Sequence, residues 1–210
     1  LEILDLSYNH ITFVSNEAFF WLLNLKQLNL QSNRLKQVPS SAFFHLQSLT
    51  KLNLAVNQIA GTLPELAFAP LTTLQELRLD SNHIGHIAAR ALHALPNLTH
   101  LDLQHNRLVV VPSESFTELA NLRVLLLSRN HLSALGPAAF RGLPLLHTLV
   151  IANTPLSAVD RDAFRENAAL VRLVLEYNRQ LVRIVADTFT VPARSLQYIS
   201  LRGNRLSTLT

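Results

Sequence analysis

The stretch Leu98-Thr99-His100-Leu101-Asp102-Leu103-Gln104-His105-Asn106-Arg107-Leu108 decides the fold. It reads Leu-x-x-Leu-x-Leu-x-x-Asn-x-Leu. The same pattern begins at Leu1, Leu25, Leu49, Leu74, Leu122, Leu146, Leu170 and Leu196, with most steps 24 residues, one of 25 and one of 26. A fixed period that runs end to end is the mark of a stacked array in which each unit buries its apolar face against its neighbours.

Each column of the repeat has a physical task. Leu4, Leu28, Leu52, Leu77, Leu101, Leu125, Leu149, Leu173 and Ile199 stand two residues before a second apolar column that runs from Leu6 to Leu201. Apolar residues at period two predict a short strand with one buried face. One strand per repeat, each returned by a crossover, predicts a parallel sheet. The asparagine column (Asn9, Asn33, Asn57, Asn82, Asn106, Asn130, Asn178 and Asn204) supplies amides that both donate and accept, suited to turn backbone buried between coils. Thr154 interrupts it and is expected to weaken the ladder there. Phe19, Phe43, Phe68, Phe116, Phe140, Phe164 and Phe189, with Leu92 once in their place, recur on the opposite side and read as core.

The 24-residue spacing with phenylalanine in the returning segment resembles the "typical" leucine-rich repeats of animal cell-surface and secreted proteins, the kind found in chaoptin, connectin, Slit and Toll-type receptors. The resemblance covers essentially the whole chain. It implies an α/β fold, a right-handed leucine-rich-repeat solenoid of about nine repeats shaped as a horseshoe. The parallel sheet would line the concave face, with irregular or short-helical segments on the convex side. Asn57-Gln58-Ile59-Ala60-Gly61-Thr62-Leu63-Pro64 also looks like the Gly-x-Ile-Pro element of plant receptor repeats, in one repeat only. No linker divides residues 1–210, so one architectural unit is expected. The family's cysteine-rich caps are missing, which suggests an uncapped part of a longer array.

Composition narrows the function. With no cysteine there is no disulfide framework, zinc–cysteine site or thiol nucleophile. No apolar run reaches the length of a membrane span, so no membrane insertion is expected within these residues. Phosphate loops, nucleophile elbows and His-Glu-x-x-His are missing, so neither catalysis nor a cofactor is expected. His100 and Asp102 fall on one side of a strand, about 7 Å apart, which is loose for metal ligation, and no metal site is expected. Asn97-Leu98-Thr99 is a glycosylation sequon.

The function that remains is recognition. A receptor or adhesion ectodomain binding a protein ligand or a homophilic partner on its concave sheet is the leading reading, at the cell surface or secreted. A matrix or glycosaminoglycan-binding structural protein and an intracellular scaffold stay open as alternatives; no nucleic-acid partner is expected. Two candidate sites follow. Between the buried strand leucines lies one outward residue per repeat: Asp5, Asn29, Asn53, Arg78, Asp102, Leu126, Val150, Val174 and Ser200. The change from polar to aliphatic predicts a ligand-binding patch on Leu126, Val150 and Val174. Val124, Tyr177 and Tyr198 extend it, and Arg129, Arg172 and Glu176 form its rim. The second site follows from charge. Residues 1–105 hold six Lys/Arg against seven Asp/Glu, and residues 106–210 hold twelve Arg against seven, giving −1 and +5. Arg107, Arg179, Arg183, Arg202 and Arg205 are expected to form a basic ridge for a sulfated glycan or an acidic protein.

Overall fold

A strand of three residues makes too few hydrogen bonds to persist alone, and the repeat solves this by placing an identical strand on each side. The computed structural model describes residues 1–209. Its strands are Ile3–Asp5, Gln27–Asn29, Lys51–Asn53, Glu76–Arg78, His100–Asp102, Val124–Leu126, Thr148–Val150, Arg172–Val174 and Tyr198–Ser200. They pair in chain order as one nine-stranded parallel sheet. Every strand centres on the residue that the period predicts. The register never slips: Leu4 lies against Leu28, Leu101 against Leu125, and Leu173 against Ile199.

Behind the sheet sits a continuous core. The strand leucines of the inner turns are buried, and Phe43, Phe68, Phe116, Phe140 and Phe164 are fully enclosed. Along this column Phe43 stacks on Phe68 with centroids 6.4 Å apart, and Phe140 on Phe164 at 5.7 Å. The convex side carries short 3-10 helices (Ser40–Phe43, Ser113–Phe116, Ala186–Phe189 and Pro192–Arg194) and turns. Among the described residues no helix is long and apolar enough to cross a membrane.

The asparagine column joins each coil to the one before. Asn106 Nδ2 donates to the carbonyls of Leu79 and Leu103, at 2.9 and 3.2 Å, and Asn106 Oδ1 accepts from the Ile84 amide at 3.0 Å. Buried backbone that no strand reaches is thereby satisfied. At Thr154 the arrangement changes. Its amide and its hydroxyl both donate to Asn178 Oδ1, at 3.0 and 2.7 Å. Ahead of each ladder asparagine, and of Thr154, the chain turns through the left-handed region, at Tyr8, Ser32, Val56, Ser81, His105, Arg129, Asn153 and Tyr177, and at Gly203. This conformation is unfavourable for residues other than glycine. The inter-coil bonds on both sides of it hold it in place.

Three further parallel pairs lie beyond the asparagines, joining Ala60–Leu63 to His83–Ile87, Ala134–Leu135 to Ala158–Val159, and Arg183–Ile184 to Thr208–Leu209. The segment resembling the plant Gly-x-Ile-Pro element supplies the first of these strands. The pairs tie down the flank of the coil where the chain leaves the sheet.

Candidate functional site

Every side chain on the open face of the sheet is placed by register. Asp102 pairs with Leu126, Leu126 with Val150, Val150 with Val174 and Val174 with Ser200, so the outward column is continuous. Its polar members have a local structural role. Asp5, Asn29, Asn53 and Asp102 each accept a hydrogen bond from the amide two residues on, at 2.9 to 3.1 Å. These are Asx turns, which steer the chain out of the strand. Leu126, Val150 and Val174 cannot make that bond. After Val150, the Ser128 hydroxyl of the preceding coil accepts from the Ala152 amide instead, at 3.0 Å. The aliphatic stretch therefore gives up a turn-stabilising device in three successive coils.

Accessibility divides the predicted patch. Leu126, Val150 and Val124 are half-buried and offer apolar surface. Val174 is 6% exposed and adds little, contrary to the expectation of a free side chain. Around it, Arg172 lies over the Tyr198 ring at 4.2 Å and Ser200 donates to Glu176. Tyr198 is exposed, whereas Tyr177 is half-buried, with Arg202 5.8 Å above its ring and Gly203 packed against it. A Cβ at Gly203 would run into that ring, so glycine is required here for contact as well as for backbone. Arg129 is exposed at the edge. The structure thus brings Val124, Leu126 and Val150 together as the apolar strip, with Arg172, Glu176 and Tyr198 on its C-terminal border.

The strip also borders a recess that the repeat pattern does not mark. Glu76, Arg78, His100 and Asp102 line it, with Val124 and Leu126 as its apolar wall. Burial pushes the Asp102 carboxyl above the ordinary aspartate range, and the nearby Asp80 charge adds to this, while the bond from the Gln104 amide works against it. Arg78 is paired to Asp80 at 3.3 Å, and Lys51 to Glu76 at 3.3 Å. The signal for this recess was present in the outward columns, but only their apolar members attract attention in one dimension. Among the described residues no group of three or more His, Asp or Glu side chains is placed to hold a metal.

Of the predicted basic ridge, Arg107, Arg179, Arg183, Arg202 and Arg205 are all exposed. Arg202 stands apart from the other four, on the sheet side over Tyr177. Asn97 is exposed, and its side chain donates to the Thr72 carbonyl at 2.9 Å.

The leucine rich repeat family model matches residues 1–59, 61–108, 96–156 and 144–206. Among curated proteins none matches the chain significantly in sequence. Solved structures do match. One is a chain of the crystal structure of the TLR13–ssRNA13 complex, 26% identical with a TM-score of 0.79, covering 100% of this chain and 34% of that one. Another comes from the octameric complex of Latrophilin 3, Unc5D and the repeat region of FLRT2, 28% identical with a TM-score of 0.85, covering 97% of this chain and 61% of that one. The chain thus spans between a third and three fifths of these two relatives.

Proposed function

The chain belongs to the leucine-rich-repeat family, and from that premise we propose that it is a recognition module of a cell-surface or secreted ectodomain that binds a protein ligand on the concave sheet. The observation that carries this reading is the aliphatic break in a column where Asp5, Asn29, Asn53 and Asp102 cap their own turns. A local rule set aside in consecutive coils, with no gain to the core, is expected where function has a claim on the residue. Covering the remaining apolar surface of Leu126 and Val150 contributes about 2 kcal/mol before ordering costs. The adjoining recess, with Arg78, Glu76 and Asp102, supplies polar partners for the rim of such a contact. FLRT2 appears in a complex with other proteins, in line with a protein ligand, and TLR13 appears with RNA, so both ligand classes belong in the test.

The experiment sets the chain and its Leu126→Asn/Val150→Asn variant against a panel of cell-surface ectodomains, a second copy of the chain and a single-stranded RNA. We expect one protein ligand to be bound by the chain and to lose about tenfold or more in affinity with the variant, the loss of roughly 1.4 kcal/mol. Equal binding by both forms removes the patch from the site, and binding of RNA alone removes the protein class. The extracellular reading is supported by the relatives and by the exposed sequon. When the chain is directed through a secretory pathway, Asn97 is expected to carry a glycan, seen as a mobility shift that Asn97→Gln abolishes; secreted protein without the shift counts against it.

A further inference from the structure

The chain has fourteen Asp and Glu residues, and none falls in the segments that leave the sheet at each ladder asparagine: residues 8–14, 32–38, 56–62, 81–87, 105–111, 129–135, 153–159, 177–184 and 203–209. Those same segments hold Arg34, Arg107, Arg179 and Arg205, each immediately after its asparagine, and Lys36, Arg129 and Arg183 beside them. His10, His83 and His131 occupy the same post-asparagine column, with His86 and His105 close by. All of these cations and histidines are exposed.

Stacking the coils turns this into a surface. Successive post-asparagine residues lie about 4.8 Å apart, so nine coils make a stripe roughly 40 Å long on one flank. Among the described residues no member of the stripe has an ion-pair partner. The ion pairs that do form lie elsewhere, on the sheet face (Lys51–Glu76, Arg78–Asp80) or the convex side (Arg141–Glu114, Arg161–Asp187). Carboxylates therefore border the stripe on both sides without entering it: Asp80 and Glu176 toward the sheet, Asp160 and Asp162 toward the convex side. The short parallel pairs at Ala60–Leu63, Ala134–Leu135 and Arg183–Ile184 fix its backbone.

We propose that this flank is a binding surface for a linear sulfated polysaccharide, separate from the concave patch. Exposed arginines at the post-asparagine position in four of the nine coils and histidines in three others, with no carboxylate among them, fit a long anionic chain lying across the coils. Single-stranded nucleic acid would in addition need aromatic platforms for base stacking. On this flank Tyr8 and Phe13 of the first coil are exposed, whereas among the arginine-rich later coils Tyr177 is packed on Gly203 beneath Arg202 and the exposed rings are the imidazoles, so RNA is an arm of the test below. Asn97 sits ahead of the strand, at the end away from the stripe, so a glycan there leaves the surface open.

The test uses heparin as the probe and two triple charge reversals of equal net charge. Arg107→Glu/Arg179→Glu/Arg205→Glu alters the stripe, and Arg161→Glu/Arg165→Glu/Arg194→Glu alters the convex side. All six arginines are exposed, and thermal melts check that both proteins fold. If the first melts low, the corresponding Arg→Gln triple replaces it. The unaltered chain is expected to bind heparin with an affinity that falls steeply between about 50 and 200 mM salt. Reversal on the stripe is expected to weaken binding about tenfold or more and to flatten the salt dependence, with the convex reversal close to unchanged. Desulfated heparin is expected to bind far more weakly than heparin. Absent or salt-insensitive heparin binding, or equal losses from the two reversals, overturns the proposal. So does tighter binding of a single-stranded RNA of matched length than of heparin, which assigns the stripe to nucleic acid.

Discussion

One asparagine side chain per coil decides whether the turn between coils is satisfied. Asn130 is 2% exposed; it donates to the Leu103 and Leu127 carbonyls at 2.9 Å each and accepts from the Leu108 amide at 3.0 Å. Removing it leaves the Leu127 carbonyl and the Leu108 amide without a partner and without water, while the Leu103 carbonyl keeps only Asn106 Nδ2. Asn130→Ala is therefore expected to lower stability by about 3 kcal/mol, measured by denaturant unfolding. A loss under about 1 kcal/mol means that the turn finds other partners. These residues were legible because a side chain that both donates and accepts, standing at the same place in coil after coil, points to backbone that it must satisfy. The left-handed residue before it was not legible. Tyr, Ser, Val, His and Arg all stand there, so no residue type marks the conformation; the bonds between coils impose it. The burial of Val174 was not legible either, since its column is half-buried in the coils before and after it, at Val150 and Ser200.

Each strand carries its inward leucines for the core and its outward residues for whatever lies beyond the sheet. The inward set fixed all nine strand positions in advance, because period two over three residues leaves no freedom once the leucines are assigned. The short pairs beyond the asparagines escaped notice: Ala134–Leu135 and Arg183–Ile184 have no pattern of their own and pair because the sheet has already aligned their coils. Leu126→Asn with Val150→Asn tests the outward set as a matter of folding. Asn29 and Asn53 occupy the same column and bond the amide two residues on, at 3.1 and 3.0 Å. The double substitution is expected to hold or raise the melting temperature as an Asx turn forms after position 126, the Ala152 amide after position 150 being already bonded to Ser128 Oγ. A clear drop shows that the aliphatic side chains serve the sheet itself, and it weakens the binding reading.

Across the molecule, stability follows position in the coil. Within the sheet a strand such as His100–Asp102 has a partner on each side, whereas on the flank Ala134–Leu135 and Ala158–Val159 pair only with each other. In native-state hydrogen exchange the amides of Glu76–Arg78 through Thr148–Val150 are expected to exchange most slowly, and those of the flank pair Ala134–Leu135 and Ala158–Val159 faster. Equal protection of sheet and flank means that each coil opens only as a single unit. The unbroken register has one more consequence. Each coil offers its successor the surface that it received from its predecessor: leucine over leucine, ring over ring, amide onto carbonyl. A whole coil copied or lost in the gene leaves the new neighbours meeting as the old ones did, so such an array changes length by counting, and the stripe and the sheet lengthen or shorten together without any contact being invented.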